Sequence, residues 1–328
     1  MKATGPSGYT SGVIPGNPKR KKSVCAFAQE LWQNRTLYLM TVPGIAFLLV
    51  FCYLPMIMLV VVFKKYNFKD GIWGSPWVGF ANFRVFFASA SKVWQVTYNT
   101  VAINFLSIVS GLIFQLGFAI LFNEIRGKLY KKITHTLFFI PYFFSIIVIG
   151  SIVYSLFSTE YGTINVLLKG FGLNPVPWYT SPQYWKAIFT LVSIWMGTGY
   201  GSLIYLAAMA GFDPAIYEAA LIDGATRLQC IRRITLPMLK PTAVILILYA
   251  LGRIFFGNVM MVYGIVRDFG PLLKSVDMID SYVFRAMKGG GSFNAASAVG
   301  LYQSVFGLVT ILTFNRIAKK VGDGNSLF

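Results

Sequence analysis

The sequence predicts an all-α integral membrane protein with six transmembrane helices. Of its 328 residues, 56% are hydrophobic and 12% are charged, and the mean hydropathy is +0.63. Soluble domains carry about 25% charged residues, so this low charge indicates a membrane protein. The second observation is a set of six apolar stretches, each longer than the roughly 18 residues that a membrane-spanning helix needs.

The predicted spans cover residues 37–63, 96–123, 134–157, 187–210, 241–264 and 294–317. The first begins too late and is too long for a cleaved signal peptide. No Pro- or Ser-rich linker separates the spans, so we expect one membrane domain, 36–328, after an N-terminal arm, 1–35. The arm is rich in Gly, Pro and Ser up to Lys22 and is expected to be loosely structured. An even number of spans places both termini on one side.

The distribution of Lys and Arg predicts which side that is. The arm, the second and fourth connections and the tail together hold 17 of these residues, and the other three loops hold 11 in a similar total length. The short connection NEIRGKLYKK contributes four of the 17. Because short cytoplasmic loops carry the excess of positive charge, we expect both termini and the fourth connection, residues 211–240, to face the cytoplasm.

The net charge of +18 invites a nucleic-acid interpretation, and KRKK, Lys19 to Lys22, resembles a nucleic-acid-binding patch. In a chain with six spans, basic residues next to the membrane are expected to anchor the cytoplasmic face to anionic lipid. We therefore expect membrane lipid as a partner and no nucleic acid.

Several function classes lack the residues that they need. None of the eleven Asp and Glu residues lies inside a predicted span, whereas ion-driven carriers commonly use carboxylates within the membrane. The one histidine, His135, lies at the cytoplasmic end of the third span, where an interfacial or capping role is expected. No catalytic constellation stands out, and Cys25, Cys52 and Cys230 lack metal-site spacing and are read as small apolar filler.

No phosphate-binding loop is present either. The nearest match, GPLLKS from Gly270 to Ser275, is too short, lacks the second glycine and lies in a predicted external loop. The sequence therefore predicts no cofactor, no metal and no catalytic residue in this chain. Any nucleotide that drives it must be bound by another chain.

The fourth connection contains YEAALIDGATRLQCIRRITLP, Tyr217 to Pro237, a polar segment between two apolar stretches. Asp213 is a suitable N-cap for a short helix and Pro214 suits its first turn. Gly224 can end that helix in the left-handed conformation. Thr226 and Gln229 form a capping-box pattern that opens a second helix.

The second helix of this segment would be amphipathic. Leu228, Ile231 and Ile234 fall on one face, and Pro237 is expected to kink or break the helix before the fifth span. The product is a helix–Gly–helix elbow on the cytoplasmic surface. It could lie on lipid, or it could be a docking surface for a partner protein.

The elbow resembles a known motif. Its pattern of Glu-Ala-Ala, three residues, Gly, nine residues and Ile-x-Leu-Pro is similar to the EAA loop of permease subunits in bacterial binding-protein-dependent ABC importers. The resemblance implies the type I importer fold, a non-catalytic subunit in the bacterial cytoplasmic membrane, and contact of this loop with an ATPase. The residues implied in that coupling are Tyr217, Glu218, Ala219, Ala220, Asp223, Gly224, Ile234, Leu236 and Pro237.

The resemblance also implies partners. Two cytoplasmic ATPase subunits would bind ATP and Mg, and an extracytoplasmic solute-binding protein would deliver the substrate. Alternating access needs two facing halves, and this chain holds one such loop without an internal repeat. A second six-helix permease, identical or related, is therefore expected.

Other stretches are similar to the oligosaccharide branch of the maltose-type permeases, and more narrowly to the group that imports fragments of complex polysaccharides. They imply an oligosaccharide substrate. The first external loop is short, so the large extra domain of the larger maltose permease subunit is absent. The stretches are Tyr53 to Phe83, VTYNT (96–100), FFIPYFFS (138–145), YGTINVLLKGFG (161–172) and IDSYVFR (279–285).

A transport pathway is predicted along the fourth and fifth spans. Trp195, Thr198, Ser202 and Tyr205 share a helical face on which aromatic rings and hydroxyls suit a sugar, and Gly197 and Gly201 form a close-packing stripe. An aromatic stripe that only packs helices together is the alternative. The candidate pathway residues are Trp195, Thr198, Tyr200, Ser202, Tyr249, Arg253, Asn258 and Gln303.

Arg253 lies in the middle of the predicted fifth span, where a cation is costly and usually faces a cavity or a partner. Its counter-charge could come from an acidic sugar or from the second permease, or its side chain could bond helix-end carbonyls.

Two other functions remain open from the sequence: an importer for another solute, such as an amino acid, peptide or polyol phosphate, and a secondary carrier or membrane enzyme.

Overall fold

The computed structural model describes residues 32–88, 90–267, 269–289 and 293–321. Lys19 to Lys22, Cys25 and nearly all of the predicted N-terminal arm lie outside the described residues. The chain divides into two compact units, Met1–Met58 and Leu59–Phe328. The predicted boundary between arm and membrane domain, at residue 35, stays a prediction.

Within the described residues every regular element is helical, and the one β-type pairing is an isolated bridge between Lys64 and Trp77. The α-helices are α1 Arg35–Leu48, α2 Leu54–Ile57, α3 Gly71–Gly74, α4 Ala81–Phe87, α5 Ala90–Glu124, α6 Lys128–Phe143, α7 Ile146–Phe157, α8 Thr163–Gly170, α9 Trp185–Ala210, α10 Pro214–Ile222, α11 Arg227–Cys230, α12 Leu236–Gly252, α13 Val259–Ile265, α14 Gly270–Val276, α15 Ile279–Lys288 and α16 Phe293–Val321. Short 3-10 helices occupy Met58–Phe63, Trp178–Thr180 and Pro182–Tyr184, and π-helical turns occupy Leu49–Tyr53 and Ile231–Thr235.

The described residues contain five helices long and apolar enough to cross a membrane, and a sixth span if a bent pair counts as one. The five are Arg35–Phe63, Ala90–Glu124, Pro182–Ala210, Arg227–Gly252 and Phe293–Lys320, and the bent pair is Lys128–Phe143 with Ile146–Phe157. The predicted number of spans agrees with this count. Two of the predicted spans, the third and the fifth, are not continuous helices.

The predicted third span, 134–157, is broken. Its two helices, α6 and α7, meet at an angle of 99°. Phe144 is extended, with φ −71° and ψ 137°, and the Ser145 hydroxyl accepts a hydrogen bond from the Ile147 N–H, 3.4 Å away, so that Ser145 caps α7. The Ser145 cap therefore satisfies one of the backbone donors at the start of α7.

The predicted fifth span, 241–264, ends early. Helix α12 stops at Gly252, and residues 253–258 are not helical before α13 begins at Val259. Side chains from distant helices donate hydrogen bonds to the backbone carbonyl groups that the end of α12 leaves without helical partners. The Asn104 side-chain amide donates to the carbonyl oxygens of Ile254 and Phe256, at 2.8 and 2.9 Å, and the Gln303 amide donates to that of Phe255, at 2.9 Å. Irregular backbone at membrane depth needs such partners.

Two π-helical turns have a common cause. Leu49–Tyr53 precedes Pro55 in the first unit, and Ile231–Thr235 precedes Pro237 in the second. A proline within a helix lacks the N–H and its ring clashes with the carbonyl four residues earlier, and a wider turn moves that carbonyl aside. Of the two predicted effects of Pro237, a kink or a break, the break is absent, because helical structure continues from Arg227 to Gly252.

The core of the second unit joins several helices. Helix α9 packs against α5 and α6, α13 packs against α7, and α12 packs against α16. The largest buried cluster takes side chains from α5, α7, α9, α13 and α14 and is built around Trp185, Phe189 and Ile149, all fully buried. A second cluster, Ala119, Tyr205, Met209 and Leu239, fixes the ends of α5 and α9 to the start of α12.

Two glycines permit the closest approach of helix backbones. A Cβ placed on Gly199 of α9 would lie closer than 3.0 Å to the backbone carbonyl of Phe138 in α6, and one on Gly150 of α7 would meet the Gly264 carbonyl of α13 in the same way. Real Cβ atoms essentially never approach that closely. Both positions therefore require glycine.

The predicted close-packing glycines, Gly197 and Gly201, each lie two residues from Gly199. A Cβ on Gly201 would collide with the flexible Gln115 side chain rather than with backbone, and one on Gly197 would meet only the Gln115 amide nitrogen, at 3.9 Å. The GxxxG spacing identified the correct stretch of α9 but missed its critical residue.

Asp277 and Asp280 occupy unexpected environments. Asp277 is fully buried, and its carboxylate pairs with Lys92, at 3.3 Å, and with Arg285. The Asp280 carboxylate accepts hydrogen bonds from the Gly257 N–H and the Gln303 amide. Asp277 therefore fixes the connection between α14 and α15 to α5, and Asp280 fixes α15 to the segment after α12 and to α16.

Candidate functional site

The elbow begins at a capped helix, as the sequence predicts. The Asp213 carboxylate accepts a hydrogen bond from the Ala215 N–H, 2.9 Å away, and Pro214 occupies the first turn of α10. The helix ends at Ile222. Both the Asp213 cap and the proline start are confirmed.

Gly224 ends this first helix in the left-handed conformation, with φ +79°. The N–H groups of Gly224 and Ala225 donate to the carbonyls of Leu221 and Ala220, at 3.1 and 2.9 Å. A Cβ at Gly224 would meet no atom within 4 Å. Backbone strain, and not space, is therefore what favours glycine here.

The second helix of the elbow begins with the predicted capping box. The Thr226 N–H donates to the Gln229 side-chain oxygen at 2.7 Å, and the Gln229 N–H donates to the Thr226 hydroxyl at 3.4 Å. Of the three predicted apolar positions, Leu228 is 73% exposed while Ile231 and Ile234 are half-buried.

Two side-chain contacts hold the elbow to the rest of its unit. The Tyr217 hydroxyl lies 3.0 Å from the Thr235 hydroxyl, which joins α10 to the π-helical turn. The Arg227 guanidinium donates to the Glu124 carboxylate at 2.8 Å, which joins α11 to the last residue of α5. The elbow is therefore connected directly to α5 as well as to α9 and α12.

The outer surface of the elbow is exposed. Glu218, Ala219 and Asp223 are open to solvent, and Ala220 is half-buried. Next to them Ile222 is 86% exposed and Leu221 is 56% exposed. Leu236 and Pro237 lie at the start of α12 and are also exposed. Adjoining exposed apolar side chains are typical of an interaction surface.

The candidate pathway residues on α9 fall into two groups. Thr198, Ser202 and Tyr205 are buried, and the Thr198 and Ser202 hydroxyls donate to the carbonyls of Ile194 and Gly199 in their own helix. These two hydroxyls are satisfied within the helix.

Trp195 and Tyr200 form the second group, 44% and 47% exposed. The Tyr200 ring stacks on that of Tyr142 from α6, with centroids 4.2 Å apart and planes 3° apart, and Phe144 lies against Trp195. Sequence reasoning missed Tyr142 as a site residue, although FFIPYFFS, the stretch that contains it, had been singled out.

Arg253 lines a cavity of about 310 Å³ between α5, α9 and α12. Its backbone follows the last turn of α12, its side chain is exposed, and it makes no ion pair with another described residue. The polar side chains of Asn104, Ser107 and Gln115 share the cavity. Tyr249, one turn earlier, is 61% exposed.

The remaining candidates stabilise the non-helical segment 253–258. Gln303 is buried and bonds the Phe255 carbonyl and the Asp280 carboxylate, the latter at 2.7 Å. The Asn258 side chain caps α13 by accepting from the Met261 N–H at 2.9 Å. Their assignment to a substrate pathway stays a prediction.

Neither His135 nor the described cysteines form a site. The His135 ring packs against Phe122 and Phe139, with centroids 5.6 and 4.6 Å away. Cys52 is exposed and Cys230 is buried. Across the described ranges no group of three His, Cys, Asp or Glu side chains could hold a metal ion.

Comparison with curated proteins identifies relatives along most of the chain. Protein LplB of Bacillus subtilis (strain 168) is 33% identical over 299 residues, covering 91% of this chain and 92% of LplB. The polygalacturonan/rhamnogalacturonan transport system permease protein YteP of the same strain is 33% identical over 311 residues, covering 95% of each chain.

Solved structures give the same result. A chain from the crystal structure of a bacterial ABC transporter involved in the import of the acidic polysaccharide alginate has a TM-score of 0.79 and 31% identity, covering 90% of this chain and 99% of its own. A chain from the alginate transporter in complex with alginate pentasaccharide-bound periplasmic protein has a TM-score of 0.78 at the same identity. These likenesses confirm the predicted all-α type I ABC importer fold.

A family model described as "Binding-protein-dependent transport system inner membrane component" matches residues 107–322, which hold the second half of α5, the elbow and α6 to α16. This description confirms the predicted location in the inner membrane and the dependence on a solute-binding protein. The chain is a member of the binding-protein-dependent transport system inner membrane component family.

Proposed function

We propose that this chain is the permease subunit of an ATP-driven importer for acidic oligosaccharides. It forms half of the translocation pathway beside a second six-helix permease, and two cytoplasmic ATPase subunits bind ATP and Mg. Two relatives support the substrate class, since YteP is named for polygalacturonan and rhamnogalacturonan and the alginate transporter for an acidic polysaccharide. No step of the ATP chemistry falls to residues of this chain.

The geometry of the elbow carries this proposal. Its caps, the left-handed Gly224 and the Glu124–Arg227 ion pair fix its shape, while Glu218, Ala219 and Ile222 remain exposed on its outer side. The exposed apolar side chains of Leu221 and Ile222 beside Glu218 suit contact with a partner protein. The experiment is to measure ATP hydrolysis by the reconstituted complex with uronate pentasaccharides and their binding protein. We expect stimulation, and its absence with every acidic oligosaccharide tested would contradict the substrate class.

The pathway is proposed to follow Trp195, Tyr200 and Tyr142 to Arg253. Trp195 and the stacked pair of Tyr142 and Tyr200 offer flat faces on which the C–H face of a sugar ring can pack. Arg253 offers a planar guanidinium that binds a carboxylate by two parallel hydrogen bonds. Thr198 and Ser202 are buried in the same helix as Trp195 and Tyr200, and their hydroxyls already bond carbonyls of that helix. We therefore give them a supporting role behind the pathway residues.

Replacing Arg253 with glutamine should weaken transport of uronate oligomers at least tenfold, the ratio that about 1.4 kcal/mol of lost binding energy produces, and spare neutral oligomers. Arg253→Lys should cause a partial loss, since lysine keeps the charge without the bidentate geometry. Uptake is measured on complexes matched for assembly. Equal loss for neutral and acidic oligomers together with a low complex yield would instead identify Arg253 as a contact between the two permeases.

The ion pair between Glu124 and Arg227 should transmit movement between α5 and the elbow. We expect Glu124→Arg to reduce substrate-stimulated ATP hydrolysis about two- to fivefold, in keeping with the 0.2–1 kcal/mol of an exposed pair. The double variant with Arg227→Glu should recover the activity. Asp70→Arg, at an exposed carboxylate in the loop before α3, is the matched control. Failure of the double variant to recover would show that the pair does not act as a unit.

Orientation is tested separately from coupling. A cysteine at Gly289, in the connection before α16, should react with a membrane-impermeant thiol reagent in intact cells whose outer barrier has been permeabilised. A cysteine at Gly127, between α5 and α6, should react only after the inner membrane is opened. The reverse labelling pattern would refute the cytoplasmic placement of the elbow and the termini.

A further inference from the structure

A second cavity, of about 550 Å³, lies beside the end of α7 and is separate from the cavity of Arg253. This volume is within the roughly 300–1,000 Å³ of small-molecule sites. Its lining combines aromatic rings with one charge of each sign: Tyr154, Tyr161, Tyr179, Phe269, Glu160 and Arg267.

The cavity lies at the opposite end of α9 from the elbow. Tyr179 precedes the start of α9 at Trp185, and the elbow follows its end at Ala210. The 26 residues of α9 separate the two by about 39 Å at 1.5 Å per residue. If the elbow is cytoplasmic, this cavity opens on the outer face, where the binding protein releases substrate.

Arg267 reaches the cavity from a strained backbone. With φ 57°, it is the single non-glycine residue with a positive φ among the described residues. L-residues other than Asn and Asp rarely adopt this conformation, and such strain is often retained at functional sites. Glycine would adopt this conformation without strain. Arginine at this position costs conformational energy, which indicates that its guanidinium has a function in the cavity.

Tyr179 contributes a hydroxyl without a partner. Its ring is fixed by contacts with Tyr154, Trp185 and Phe269, with centroids 5.5, 4.8 and 5.9 Å away. Its hydroxyl is buried and makes no hydrogen bond within the described part of the chain. Burial, reinforced by nearby Tyr154 and opposed by Arg267, raises the pKa of Tyr179 to about 12, so the hydroxyl stays a donor at neutral pH.

We propose that this cavity is an outer carbohydrate subsite, which takes sugar residues of the substrate before they enter the pathway. The inference rests on the proposed function. The rings of Tyr154 and Tyr161 are 58% and 83% exposed and provide stacking faces. Arg267 and Glu160 provide donors and acceptors for neighbouring sugar hydroxyls.

Tyrosines near a membrane surface also serve as interfacial anchors. An anchor needs only an outward face towards the headgroups. These rings instead line a concavity that they share with a strained arginine, a glutamate and an unpaired hydroxyl. That combination favours a polar ligand with ring faces over lipid.

The test places a fluorophore in the cavity. Thr159, an exposed residue of the lining, is changed to cysteine and labelled with an environment-sensitive dye in a full transporter complex whose native cysteines have been replaced. The probe is a uronate pentasaccharide that stimulates ATP hydrolysis in the presence of its binding protein. It is titrated onto the complex in lipid nanodiscs without the binding protein. A dye at Gly127 is the control on the opposite face.

We expect a saturable signal from the Thr159 dye and none from the Gly127 dye. Tyr154→Ala and Arg267→Gly should each raise the apparent Kd at least fivefold, and Tyr130→Ala, an exposed tyrosine on α6, should leave it unchanged. Arg267→Gly should not lower complex yield, because glycine suits the turn. An unchanged Kd in both variants would overturn the proposal. In a separate titration with unliganded binding protein alone, a Thr159 dye that responds to that protein but not to the sugar would overturn it as well. Failure of the proposed function is distinguishable, since no sugar would then stimulate ATP hydrolysis.

Discussion

Replacing Gly224 with valine should abolish most of the substrate-stimulated ATP hydrolysis while the complex still assembles. Gly224 has φ +79°, where a β-branched residue costs about 1–3 kcal/mol. A side chain there meets open space, so the strain is relieved by a change in the elbow and not by a clash with the core. The surface that carries Glu218 then no longer matches the ATPase. We expect at least a tenfold loss of stimulation.

Gly224→Asn is the matched control, because asparagine tolerates the left-handed conformation. It should retain most of the stimulation. Glu218→Lys changes the exposed face without changing the backbone, and we expect it to uncouple as well. ATP hydrolysis and transport are measured on reconstituted complexes. Normal activity in both Gly224→Val and Glu218→Lys would contradict the coupling role of the elbow.

Gly199→Ala should destabilise the chain far more than its single methyl group suggests. The new Cβ would press against the backbone carbonyl of Phe138, so α6 and α9 must separate. Overpacking of this kind costs about 1–3 kcal/mol, which lowers the melting temperature by roughly 2–12 °C in a domain of 150–250 residues. The Tyr142–Tyr200 stack, which joins the same two helices, should loosen with it.

Gly197→Ala is the comparison, two residues away on the same helix. Its Cβ would have a contact at 3.9 Å with the Gln115 side chain, which is ordinary packing. Melting temperature and yield of the purified complex are the measurements. Equal melting temperatures for the two alanine variants would show that α6 and α9 do not meet at Gly199.

The elbow was predictable almost residue by residue because its determinants are local. An N-cap, a helix-ending glycine and a capping box each act within four residues, and Asp213, Gly224 and Thr226 all occupy their predicted roles. For Pro237 the sequence leaves a kink and a break open, and the structure shows no break. A proline normally ends a helix, but a π-helical turn just before it relieves the clash at the cost of one irregular turn.

The interruptions of the third and fifth spans could not be predicted from hydropathy. Both lie inside continuous apolar runs, and the fifth depends on partners far away in the sequence. Asn104 is about 150 residues before the carbonyls that it bonds, and Gln303 is 48 residues after. A polar residue in a span has many possible partners, and only the tertiary structure selects one.

The candidate pathway shows the same limit. Hydroxyls on the correct face of α9 could be listed from the sequence, but their hydrogen bonds to their own helix could not. Likewise Tyr142 lies on a different helix from Tyr200, so their stack follows from the packing of α6 on α9. Hydropathy predicts only that Asp277 and Asp280 lie outside the spans, whereas in the structure their carboxylates bond groups on neighbouring elements.

ATP-dependent uptake into proteoliposomes tests the central claim most directly. The vesicles contain this chain, the second permease and the ATPase, with ATP inside and labelled uronate pentasaccharide with its binding protein outside. Uptake should require both ATP and the binding protein, and it should be lost with Gly224→Val but kept with Gly224→Asn. Uptake that proceeds without ATP and follows an imposed proton or sodium gradient would contradict the account and identify the chain as a secondary carrier.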